Sequence, residues 1–246
     1  MVSARDGRGG ANGSEGDDDN AGQDGDADEV VRAPVAAVSF DLFGTLVEPE
    51  RPPDPATAVG VELRERGVPV PDDWAAAYAE PHLDYGAGVE RPLHHHVAAA
   101  LASRIVASER EVVDDAAAAV RAAFDTPVLT REGAVEAVEA LAERYSVGVC
   151  SNCSVPGLVD RTLDRSALDP AMFDIVTTSV ACGWRKPDRR AFATTADGLG
   201  VPVERLLHVG DDPATDGAVA DHGARALLVG EVSLAALPAT VEARWG

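Results

Sequence analysis

The run Val35-Ala36-Ala37-Val38-Ser39-Phe40 is apolar except for one serine and rich in Val. Such a run predicts a short buried strand. A proline-rich stretch follows (Pro49, Pro52, Pro53, Pro55), and then helical spacing of apolar residues takes over. It predicts helices over 56–66, 71–79, 92–108 and 112–124, separated by Gly67, Pro69, Pro81 and Gly86-Ala87-Gly88. Nothing in this region reads as a strand. After Pro127 the pattern changes to alternation of the two element types. Strands are predicted at 147–150, 173–177, 206–209 and 226–229, and helices at 132–145, 155–166, 187–199 and 213–222. One strand, a helical insertion and then repeated β-α units predict a doubly wound, mainly parallel α/β sheet. The core is assigned to 30–47 and 127–246, and an all-helical domain to 48–126. In such folds ligands sit beyond the carboxyl ends of the strands.

Residues 1–29 follow neither pattern. They hold nine acidic residues, two arginines and seven glycines, with Met1 and Val2 as their only large apolar side chains. A segment of this kind buries too little to offset its ordering entropy, which predicts a disordered acidic tail. The tail carries −7 of the chain's formal −21, so the body is acidic without it, at −14. A surface of that sign repels phosphate backbones and anionic head groups, which argues against nucleic-acid and membrane partners. No apolar run approaches the ~18–20 residues of a membrane span, and no apolar leader opens the chain. The expected location is the cytoplasm. Three cysteines are too few for a disulfide scaffold. Twenty of the 21 basic residues are arginine and one, Lys186, is lysine. Abundant acid with so little lysine suggests a high-salt cytoplasm; a GC-rich genome is the alternative.

Four polar signals fall just beyond predicted strands: Asp41 with Gly44 and Thr45; Ser151-Asn152; Lys186 before Pro187; and Gly210-Asp211-Asp212 with Asp216. Asp41, Ser151, Lys186 and Asp211 are spaced by 110, 35 and 25 residues. The predicted topology brings them to one rim of one sheet. A carboxylate there can attack an electrophile covalently. Two or three carboxylates from separate loops suit Mg²⁺. A hydroxyl, backbone N–H groups and an ammonium can hold a phosphoryl group.

In this order and context the signals resemble the haloacid dehalogenase superfamily, whose first motif D-x-D-G-T is met by Asp41-Leu42-Phe43-Gly44-Thr45 with one departure. Ser151 fits the second motif, Lys186 the third, and Gly210, Asp211 and Asp216 the fourth. The helical insertion resembles the family's cap domain. The resemblance implies a hydrolase with Asp41 as nucleophile and Lys186 as its catalytic partner. It also implies Mg²⁺ held by Asp41, the Phe43 carbonyl and Asp211 with Asp216 in support. Thr45, Ser151, Asn152 and Lys186 would bind an anionic small-molecule substrate.

The departure is Phe43, where family phosphatases carry an Asp that moves protons. Loss of such help costs about 10²–10⁴-fold. Family dehalogenases carry an aromatic residue at this position, but they need no metal and generally lack the fourth-motif Gly-Asp pair. Crowded carboxylates without a cation would repel one another, so Asp211, Asp212 and Asp216 favour Mg²⁺ and a phosphate ester. A dehalogenase, or a weakened relative with a binding role, remains the alternative. The insertion contains no lysine, which removes a Schiff-base phosphonate hydrolase. Cys150-Ser151-Asn152-Cys153 reads as core packing rather than a redox pair, and His94-His95-His96 as a surface or substrate-facing run because successive helical residues diverge by about 100°. Glu48 is a candidate replacement acid, with an exposed loop carboxylate as the plainer reading. Substrate choice is expected to lie with insertion residues around Tyr78, His82, Tyr85 and His94.

Overall fold

The apolar run at 35–40 forms strand β1 (Ala37–Phe40), buried at every position. The computed structural model describes residues 33–50, 52–105 and 108–246; the expected acidic tail lies outside them. Along the chain β1 is followed by β2 (Val47–Pro49), then helices α1 (Pro55–Glu65), α2 (Trp74–Ala79), α3 (Leu93–Ala102) and α4 (Glu109–Ala123). β3 (Val128–Thr130) and α5 (Ala134–Ala142) lead to β4 (Ser146–Ser151), α6 (Leu158–Arg165) and β5 (Ile175–Thr178). Then come α7 (Ser179–Cys182), α8 (Arg189–Gly198), β6 (Leu206–Gly210), β7 (Arg225–Leu228) and α9 (Leu237–Trp245).

Five strands form a sheet in the order β5-β4-β1-β6-β7, and every neighbouring pair is parallel. The central strands β1 and β6 are buried on both faces, as a sheet covered by helices on two sides requires. Phe40 is level with Val149 on one side and Val209 on the other. The mainly parallel α/β fold read from the alternation is therefore present.

The helical insertion opens and closes on a small antiparallel pair, β2 with β3, that the sequence pattern did not predict. Three-residue strands are too short to display alternation, and Pro49 disguises one of them. α1 starts on Asp54, whose side chain accepts from the N–H groups of Ala56 and Thr57, with Pro55 at the first helical position. α4 carries a capping box between Ser108 and Glu111. The predicted helix over 213–222 is instead a 3-10 segment, Gly217–His222, because residues 211–216 are occupied in a tight carboxylate-centred turn. α9 was not anticipated either.

The insertion is also stitched to the core by backbone bonds. Glu90 N–H donates to the Gly183 carbonyl (2.9 Å), Arg185 N–H to Gly88 (2.9 Å) and Leu93 N–H to Ser154 (2.8 Å). The buried Glu90 carboxylate accepts from the Ser179 hydroxyl at 2.9 Å. Among the described residues no helix is long and apolar enough to cross a membrane.

Candidate active site

Asp41 is the first residue beyond β1, and its N–H donates to the Val209 carbonyl of β6 at 2.8 Å. β1 lies between β4 and β6, so the residues that follow these three strands stand side by side. The chain winds from β1 to β4 and β5 one way and returns to β6 and β7 the other. This reversal is the place where open α/β sheets form a crevice.

Lys186 reaches the same crevice from the loop between α7 and α8 and is only 2% exposed. Its Nζ donates to Asp41 Oδ1 at 2.9 Å, Asp216 Oδ1 at 2.6 Å and the Cys150 carbonyl at 2.7 Å. An ammonium has three donors, and all three are used. Burial works against its charge, but Asp41 and Asp216 outweigh that and hold the amine protonated well above its usual range. The backbone of Lys186 is fixed by Asn152, whose Oδ1 accepts from the Lys186 N–H (2.8 Å) and whose Nδ2 donates to the Lys186 carbonyl (3.0 Å).

Asp216 organises the turn after β6. Its Oδ2 accepts from the N–H groups of Asp211 and Asp212, both at 3.1 Å, while Oδ1 takes Lys186 and lies 3.2 Å from His208 Nε2. Burial opposes its charge, but His208 and Lys186 prevail, and the carboxyl stays well below the usual range. Gly210 precedes this turn because a Cβ there would strike the Asp216 carboxylate. Asp211 is exposed and accepts from Thr45 Oγ1 at 3.1 Å. Thr45 thus braces a carboxylate. Gly44 has φ of 96°, and a Cβ on it would come within 2.6 Å of Asp211 Oδ2, so this position requires glycine on both counts.

The three carboxylates Asp41, Asp211 and Asp216 each offer an oxygen within 4.8 Å of the others. Oxygen-only donors of this charge fit a hard divalent cation such as Mg²⁺. Without one, Asp41 is pushed up to about 6, first by burial, with Lys186 pulling down and Asp216 and Asp211 pushing up.

Asp41, Phe43, Asn152, Lys186, Asp211 and Asp216 line a cavity of about 270 Å³. Ser151 ends β4 close by, but it is buried outside that lining, and its hydroxyl has no hydrogen-bond partner. A second cavity, about 340 Å³, shares Phe43 and Asn152 with the first. None of Tyr78, His82, Tyr85 and His94 lines either cavity, contrary to the expectation for substrate contacts. Tyr78 and His82 are turned into the helical insertion instead: Tyr78 stacks edge-on against Trp74 and His96, and His82 bonds the Ala77 carbonyl. Glu48 is exposed and borders a third recess with Phe43 and Asp211. The thiol of Cys150 is buried and pushed up to about 11 chiefly by that burial, in keeping with a packing role.

Two contributors were not found from sequence. His208 sits inside β6 with Nδ1 2.8 Å from Ser39 Oγ; burial, reinforced by Lys186, pulls it down to about 4. The neutral ring can accept from Ser39 and donate to Asp216. Its signal was available as the lone polar residue in Leu206-Leu207-His208-Val209. Arg131 donates to the Gly44 carbonyl and so pins the first-motif turn from β3's side.

This fold and site define an α/β protein with carboxylate–lysine chemistry at the reversal of a parallel sheet. Residues 35–222 match the haloacid dehalogenase-like hydrolases, and the chain belongs to that family of hydrolases. No curated protein matches it. Among solved structures it is similar to the 2-haloacid dehalogenase from Pseudomonas syringae pv. Tomato DC3000, with TM-score 0.60 and 20% identity over 86% of this chain and 100% of that one. It is also similar to the magnesium-bound HAD-hydrolase YfnB from Bacillus subtilis (TM-score 0.50, 16% identity, 82% and 92% covered). A HAD phosphatase from Thermococcus onnurineus gives TM-score 0.50 at 17% identity, with 81% and 88% covered. At these identities the likeness is one of fold.

Proposed function

We propose that the protein is a Mg²⁺-dependent phosphatase of small phosphorylated metabolites, with Asp41 as nucleophile. The observation that carries this reading is the convergence of Asp211 and Asp216 on Asp41, with ligand oxygens within 4.8 Å. A metal-free reaction has no use for that much negative charge in one place.

Asp41, Asp211 and the Phe43 carbonyl would hold the ion, and Asp216 would keep their turn in shape. When bound, Mg²⁺ supplies charge neutralisation to the phosphoryl oxygens. Lys186 takes Asp41 Oδ1, and Oδ2 attacks phosphorus. The P–O bond to the leaving group breaks as the Asp41–phosphorus bond forms. Water then attacks phosphorus, returning the Asp41 carboxylate and inorganic phosphate. Lys186 and Asn152 face the cavity in which the phosphoryl group is transferred. Phe43 cannot protonate the departing oxygen, so the reading favours aryl or acyl phosphates, whose leaving groups depart as stable anions. The helical insertion would act as the cap of this site, with the cytoplasm as its setting.

The second reading, carbon–halogen hydrolysis, draws on Phe43 in the cavity wall and on the dehalogenase among the similar folds. A panel of phosphorylated and halogenated acids, with and without Mg²⁺ and in high salt, separates the two. Phosphate release that stops with EDTA supports the first. Halide release that survives EDTA supports the second and overturns the first.

A further inference from the structure

The cavity of about 340 Å³ next to the carboxylate cavity has no role in the chemistry above. Its size suits a small organic molecule. Phe43, Pro49, Phe124, Val128 and Leu158 give it an apolar wall, drawn from both the insertion and the core. Arg161 of α6 lines this cavity as well. Its Nε and Nη2 are shielded from solvent and have no hydrogen-bond partner. Buried polar groups are nearly always satisfied, and a charged one left unsatisfied is costly.

The neighbouring charges do not remove the deficit. Asp125 Oδ1 lies 3.7 Å from Arg161 Nε, too far for a hydrogen bond, and is already held by Arg165 Nη1 at 2.5 Å. Arg161 also borders a recess of about 300 Å³ with Arg66, Arg121 and Asp125. Arg66 is paired with Glu62. Four arginines therefore face two carboxylates at this junction, in a chain whose net charge is −21. Positive charge is concentrated here against the trend of the whole molecule.

We infer that Arg161 is a specificity residue that receives a carboxylate on the substrate, at the far end of an apolar body from the transferred phosphoryl group. Phe43 and Asn152 line both cavities, so one molecule can lie in the two at once. The planar fork of a guanidinium matches a carboxylate through two parallel hydrogen bonds. A carboxylate brings one negative charge to Arg161, whereas a second phosphate would bring a further charge into an apolar wall. The substrate class is thus an aryl or acyl phosphate that carries a carboxylate. This deepens, and rests on, the phosphatase reading.

The test compares 4-carboxyphenyl phosphate, phenyl phosphate and 1,4-phenylene bisphosphate as substrates of the Mg²⁺-loaded protein and its Arg161→Met variant. Calorimetry with 4-hydroxybenzoate and phenol, without Mg²⁺, reads the pocket apart from turnover. The wild type should prefer the carboxylated ester over phenyl phosphate by at least about tenfold in kcat/KM, and Arg161→Met should bring the ratio near one. 4-Hydroxybenzoate should bind at least about tenfold tighter than phenol, and only when Arg161 is present. If Arg161→Met does not fold, Arg161→Lys keeps the charge without the fork and should cut both ratios at least about threefold. Equal use of the first two esters with equal binding of the two ring compounds overturns the inference, as does preference for the bisphosphate. Arg161-dependent binding of 4-hydroxybenzoate without turnover of any phosphate upholds the pocket and sinks the phosphatase reading alone.

Discussion

Lys186 Nζ lies 2.6 Å from Asp216 Oδ1 and 2.9 Å from Asp41 Oδ1, so one cation ties the nucleophile to the turn that presents Asp211. The pair Lys186–Asp216 is nearly inaccessible, at 1% and 3% side-chain exposure. Removing the amine leaves buried Asp41 without its cation and Asp216 with only His208 and two backbone N–H groups. Lys186→Met is expected to cost about 3–5 kcal/mol of stability, measured by urea unfolding. Lys186→Arg, conservative by the composition of this chain, should also fail, because the larger fork has no room among three fixed acceptors. Its kcat is expected to fall at least ~100-fold.

Asp41→Asn should abolish turnover and yet stabilise the metal-free protein. The sign follows from burial, which raises the Asp41 carboxyl to about 6 against an unfolded value of about 3.9. A raised carboxyl means that the folded protein holds its proton longer than the unfolded chain does. The charged form is then a penalty on folding, absent below about pH 4 and fully present above about pH 6. The Asn variant never carries that penalty. It should gain on the order of 2 kcal/mol at pH 8 and nothing at pH 4, read as the difference between melting curves at the two values.

Phe43→Asp should create the missing proton donor. The residue already borders the carboxylate cavity, so a carboxyl placed there reaches the leaving group's side of the site. Hydrolysis of alkyl phosphates is expected to rise by about 10²–10⁴-fold, while aryl phosphates gain little. An equal gain for both classes would show that leaving-group protonation is not what the wild type lacks.

Thr45 contributes through Asp211, to which it donates at 3.1 Å. Thr45→Val keeps the shape and removes the donor. Mg²⁺ affinity, titrated by calorimetry, should fall about 10–100-fold, with kcat at saturating Mg²⁺ much less affected. Asp211→Asn should weaken the ion at least as much.

Much of this was legible in the sequence, for definite reasons. β1 and β6 are fully buried strands, so their apolar runs stand out, and the polar residues that end them mark the crevice. Asp41 and Asp211 directly follow β1 and β6, where position along the chain predicts position in space, whereas Lys186 in the loop between α7 and α8 and Asp216 in the turn after β6 are legible only through the order of the motifs. Arg161 and Arg131 were not, because each acts from a helix or strand edge whose distance from the site is set by packing alone. Thr45 and Asn152 read from the sequence as substrate contacts, and the structure adds what the sequence does not carry: one braces Asp211 and the other clamps the Lys186 backbone. The β2–β3 pair is not legible because two three-residue strands have no period to read.

The single lysine has a practical consequence for anyone handling this molecule. Amine-directed reagents find one side chain to modify, and it is 2% exposed with all three donors engaged. Slow labelling at Lys186 would therefore clock the opening of the crevice itself, with no competing lysine signal to subtract.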